Sequence, residues 1–138
     1  MPVSFQILPV RGLVYVRYEG FARIAESAEL FARYMAHPDF APGQKQLVDL
    51  AGVTGIEADF PKLLGLQARK AEAFLPGGVQ TMIVYHAPGA VSRRMAEMVR
   101  RSWSEIPSVV PVVVESEVEA LEVLGLRERR FAEILQTA

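Results

Sequence analysis

The sequence has no cysteine. That absence excludes thiol nucleophiles, iron–sulfur clusters, Cys-ligated zinc and any disulfide framework. There is no excess of one charge either: 15 Lys and Arg face 16 Asp and Glu, a net charge of -1. Without a global field, nonspecific nucleic-acid binding is not expected as the main activity. No apolar run approaches the roughly 18 residues of a membrane span. The opening MPVSFQILPVRGLVYVRYEG lacks the basic start and continuous apolar stretch of a signal peptide. The expectation is a soluble cytoplasmic domain. Histidine is scarce too. His37 and His86 are separated by two elements, with no His-x-x-x-His or acidic cluster beside either, so neither a metal site nor a cofactor is expected. Pro76-Gly77-Gly78 precedes a strand, whereas a phosphate-cradling loop follows one and opens a helix.

What is present is apolar and patterned. At 138 residues and 51% hydrophobic composition, the chain suits one domain with a core that needs no staples. Val3, Phe5 and Ile7 alternate as a strand, and Val14, Val16 and Tyr18 alternate against Arg17 and Glu19 in a second that Gly20 ends. Four residues, PVRG, join the two as an antiparallel hairpin. Ile24, Ala28, Phe31 and Met35 then mark a helix face, stopped at His37-Pro38.

QLVDL (46–50) reads as a buried strand. A second helix starts at an Asp59 cap with Pro61 in its first turn, shows Phe60, Leu63, Leu64, Gln67, Ala71 and Phe74 on one face, and stops at 76–78. Leu30 and Leu66 fall beside the helix faces as exposed apolar positions. VQTMIVYH (79–86) is a strand, and Val91, Met95, Met98, Val99 and Trp103 line a third helix. VVPVVV (109–114) is a fifth strand, and Pro111 places it at a sheet edge. Ser116 and Glu119 form a capping box for a fourth helix. The order β-β-α-β-α-β-α-β-α-α predicts right-handed crossovers and a mixed, mostly parallel five-stranded sheet with four to five helices.

The segment LVDLAGVTGIEADFPKLLGL (47–66) is the most specific in the chain. A buried strand ends in Asp49-Leu50, a short loop carries Val53-Thr54, Ile56 and Glu57, and a helix follows. This resembles the STAS fold of anti-sigma-factor antagonists, the SpoIIAA-like family. Glu119, Ala120, Leu121, Leu124 and Gly125 resemble that family's closing segment, so the resemblance covers residues 1–125 and leaves 126–138 as an amphipathic C-terminal extension. The resemblance implies a non-catalytic interaction or regulatory module without cofactor. Its protein partner would dock on the loop from Ala51 to Asp59 and the helix after it, with Thr54, Glu57, Asp59 and Phe60 as contacts. The family's phosphorylated serine falls at Asp59, its neighbouring serine at Ala58 and the following glycine at Phe60. A carboxylate has no hydroxyl to phosphorylate; Asp59 either mimics the charge of a phosphoserine or simply caps the helix.

Other readings use other residues. Asp49 and His86 lie at carboxyl ends of strands, where open α/β sheets bind ligands. A small-molecule or acyl-ligand binder with a pocket there is the alternative function. Ser92 would add a nominal Ser-His-Asp hydrolase set, but no Gly-x-Ser-x-Gly elbow surrounds it; otherwise His86 is a partly solvated strand-end residue. Twelve of the fifteen cations are Arg, and Arg93, Arg94, Arg100 and Arg101 share one outward helix face with Glu97, either a solvated face or a grip for an acidic partner. The tail carries Phe131, Ile134 and Leu135 among charges. Thirteen residues do not hold a helix alone, so this side packs on its own sheet or covers a second subunit in a homodimer.

Overall fold

In the computed structural model, residues 2–74 and 80–135 are described, the Phe74 side chain excepted. The stop at Pro76-Gly77-Gly78, the proposed strand start at Val79 and the last three tail residues lie outside them.

Strands β1 (Val3–Leu8) and β2 (Leu13–Ala22) form the antiparallel hairpin, closed by a 3-10 turn at Pro9–Arg11. Strands β3 (Lys45–Ile56), β4 (Thr81–His86) and β5 (Val109–Val114) add in parallel, in the order β1-β2-β3-β4-β5. Pro111 therefore sits on an edge strand, where a missing N–H costs no ladder bond.

Helices α1 (Ile24–Met35), α2 (Phe60–Phe74) and α3 (Ala90–Ser102) cover one face, and α4 (Glu117–Val123) and α5 (Phe131–Leu135) the other. Burial on both faces explains why the strands read as nearly continuous apolar runs. Along β2, Val14, Val16 and Tyr18 point into the α1–α3 layer while Leu13 and Tyr15 meet the α4–α5 layer. Trp103, at the end of α3, is buried and donates its indole N–H to the Tyr85 hydroxyl at 2.9 Å.

Several sequence expectations need correction. Gly20 does not end β2; with φ at 71° it lets the strand bend past a register shift and run on to Ala22. The stretch 51–56 is not a loop: β3 continues through it to Ile56. Gly55 is where the Phe21 ring crosses the strand, 2.9 Å from where a Cβ would stand. On α1, Met35 is 43% exposed and Leu30 is buried; on α2, Leu64 is 42% exposed and Leu66 buried. Both helices are rotated from the expected faces by about one residue, because their apolar stripes are wider than one row.

Candidate functional site

Parallel pairing of β3 and β4 sets Asp49 beside His86 at the last paired position. His86 donates from Nδ1 to Asp49 Oδ1 at 2.9 Å, Tyr15 donates its hydroxyl to Asp49 Oδ2 at 2.6 Å, and the Ala51 N–H reaches Oδ1 at 3.1 Å. Burial alone would raise the Asp49 carboxyl, but these three donors outweigh it and hold the group below its ordinary range. Burial, with the Asp49 hydrogen bond second, pushes the Tyr15 hydroxyl up. The Phe131 ring closes the cluster, edge-on to His86 at 5.0 Å and to Tyr15 at 5.8 Å.

His86 is only 6% exposed, so it is not the partly solvated residue expected. Tyr15 and Phe131 pack against Asp49 and His86, at the strand-end position where a ligand pocket was expected. The nominal triad is not assembled. Ser92 bonds the Gly89 backbone through both its acceptor and its donor, in a helix packed on the opposite face from His86. Tyr15 was missed in the sequence reading; its signal is an aromatic on the polar side of an alternating strand.

The other four candidate residues gather elsewhere, where β3 turns into α2. Thr54 is exposed on β3. Glu57 accepts the Ile24 N–H at 2.8 Å and pairs with Lys62 at 3.2 Å, and those bonds, the Ile24 N–H first, hold its carboxyl below the ordinary range. Asp59 Oδ1 accepts the Lys62 N–H at 3.1 Å, the N-cap expected of it. Phe60 is half-buried, with the Arg101 guanidinium 5.3 Å from its ring centre.

Pairing gives this region an unused edge. The β3–β4 register ends at Asp49↔His86, whereas the β2–β3 register runs on to Ala22↔Ile56. Beyond β4, the segment 51–56 is thus, among the described residues, paired on its β2 side only. The outward Arg face of α3 is largely occupied: Arg100 binds Glu97 at 2.6 Å, Arg93 reaches Glu115 at 3.4 Å, and Arg101 lies over Phe60.

A cavity of about 70 Å³ lies between the sheet and helices α1, α2 and α3. Val48, Leu63, Leu66 and Met95 give it apolar walls. Gln46, Gln67, Lys70 and Tyr85 are polar residues of its lining, which also includes exposed Arg23 and half-buried Glu57. Among these only Glu57 was a sequence candidate. Gln67 had a readable signal, as an amide in the middle of an apolar helix face.

Among the described residues no group of three or more acidic or histidine side chains is arranged to hold a metal, and no helix is long and apolar enough to cross a membrane.

This topology, with three helices on one face of the sheet and two on the other, defines a STAS-like α/β fold. Among solved structures the chain is similar to the anti-sigma factor antagonist SpoIIAA in its unphosphorylated form, with a TM-score of 0.51 over 89% of this chain and 97% of that one, at 10% sequence identity. That likeness shows the fold. No family model matches the chain, and no curated protein does.

Proposed function

We propose that the protein is a cytoplasmic, non-catalytic regulatory module of SpoIIAA-like type that docks a protein partner where β3 runs into α2. The observation that carries this reading is the half-paired segment 51–56 of β3, continuous with exposed Thr54 and Asp59 and with half-buried Glu57 and Phe60. An edge with free backbone donors and acceptors is a template for an added strand. Phe21, 44% exposed beside Gly55, and Leu64 add apolar area nearby. On the SpoIIAA-like resemblance Asp59 takes the place of the phosphorylated serine, so docking here would run without that switch, with the carboxylate as the cap of α2. A protein partner fits better than nucleic acid, because the chain has no net positive charge and, on its densest Arg face, Arg93 and Arg100 are paired with carboxylates.

Affinity capture from an extract of the native host tests this. The intact chain is expected to retain a defined protein that Thr54→Lys loses, because a lysine on an open edge blocks strand addition. Equal retention by both chains overturns the docking site. A second copy of the chain is the competing occupant, a homodimer through the same edge. The tail's apolar side does not serve it, since Phe131 and Ile134 are buried on the chain's own sheet. Light scattering separates the two: a monomer at high concentration leaves the edge to a different protein.

A second reading, small-ligand binding, is favoured by the cavity itself. An apolar space with convergent polar groups is the usual form of a small-molecule site. It lies on the α1–α3 face, opposite the strand-end position of Asp49 and His86.

A further inference from the structure

The cavity's polar groups are specific enough to define a ligand. Gln67 is 1% exposed, and among the described residues its Oε1 has no hydrogen-bond partner. Its orientation follows from its neighbours. The Ser102 hydroxyl has one proton, which it gives to the Val99 carbonyl, so it must accept from Gln67 Nε2, at 2.9 Å. Gln67, which lines the cavity, therefore keeps Oε1 as a buried acceptor without a donor. Leaving such a group buried and unpaired costs on the order of 1–3 kcal/mol.

Lys70 lies one turn further along the same face of α2, as i and i+3 residues do. Its ammonium sits 5.7 Å from the Phe31 ring centre, and among the described residues no carboxylate pairs with it. Burial pushes its pKa down to about 8, as expected for a cation lacking a counter-ion. The nearest acid of the cavity, Glu57, is already held by Ile24 and Lys62. What is missing is an anion at Lys70 and a donor at Gln67, two residues one helical turn apart that line the same apolar cavity.

Resting on the small-ligand reading, we infer that the cavity takes a short aliphatic hydroxy acid, its carboxylate on Lys70, its hydroxyl donating to Gln67 Oε1 and its alkyl end among Leu63, Leu66 and Met95. Size limits the chain. An engineered apolar cavity of about 150 Å³ holds benzene; half that volume holds about three or four carbons, with the head group at the rim. A cationic ligand would meet Lys70, and a simple fatty acid would leave Gln67 unpaired.

NMR titration of the intact protein with 3-hydroxybutanoate, butanoate and 1,3-butanediol, each at millimolar concentrations, separates the possibilities. The hydroxy acid is expected to bind at least about tenfold more tightly than either analogue, with the largest shifts at Gln67, Lys70 and Met95. Lys70→Met should erase its advantage over the diol, and Gln67→Leu its advantage over butanoate. Equal binding of the three by the wild-type chain overturns the hydroxy-acid assignment and leaves the small-ligand reading standing. Binding of none overturns both, and because the wild-type series alone decides, neither result depends on the variants folding.

Discussion

Asp59 and Asp49 are two carboxylates with different work. Asp59 is exposed and caps α2 through the Lys62 N–H, so Asp59→Ala is expected to cost about 0.5–2 kcal/mol in urea unfolding while Asp59→Ser costs less, because serine caps as well. Asp49 is the acceptor for Tyr15, His86 and the Ala51 N–H. A carboxyl held below its ordinary value adds stability above that value and loses it as pH falls through the lower, folded-state value. Asp49→Asn is therefore expected to lower the urea midpoint near neutrality and to lower it less below pH 3.8, the group's ordinary value. An equal loss at both pH values would mean that packing, not charge, carries the cluster. At this scale the sequence was partly legible. The Asp59 cap, the Ser116–Glu119 box and edge Pro111 follow from backbone chemistry local to each residue. The Asp49–His86 contact depends on strand register, and the packing of Tyr15 and Phe131 against it depends on how a distant helix folds back.

Elements were more legible than their ends. Among the described residues, the five strands and five α-helices stand where hydrophobic period placed them, because 2.0 and 3.6 residue spacings survive without knowledge of neighbours. The extension of β2 past Gly20 and of β3 through AGVTGI was hidden, since glycine usually marks a turn and here permits a bend and a close ring crossing. Gly55→Val is expected to displace the Phe21 ring and destabilise the β2–β3 end, whereas Gly65→Ala, with open space at its Cβ inside α2, is expected to stabilise by up to about 1 kcal/mol. Thermal melts of both variants check the contrast. The tail is another element-scale case. Phe131 and Ile134 are buried against Tyr15, Leu47 and Val84, and Arg11 pairs with Glu128 at 2.8 Å. A chain ending at Gly125 loses the burial of two large side chains, roughly 3–6 kcal/mol, a large share of a typical domain's stability. Its melting temperature is expected to fall sharply; an unchanged melt would mean that the α4–α5 face is stable without its cover.

For the whole molecule, the topology allots the two faces different roles. On the α4–α5 face Phe131 packs on the Asp49 cluster through His86, whereas the α1–α3 face keeps a cavity lined by Gln46, Gln67 and Lys70. The mixed sheet was readable from element order, but the cavity was not, because a void is set by how three helices settle on a sheet and leaves no periodic trace. The edge proposed for docking lies at the carboxyl end of the same sheet, and Glu57 belongs to both regions, lining the cavity and sitting beside the cap of α2. Hydrogen–deuterium exchange of the intact chain, free and with the protein it captures from host extract, tests the docking surface most directly. Amides of residues 51–64 are expected to gain protection while those of α3 and of 126–135 stay unchanged. Protection confined to the outward face of α3, or to the tail, would contradict a partner that docks where β3 runs into α2.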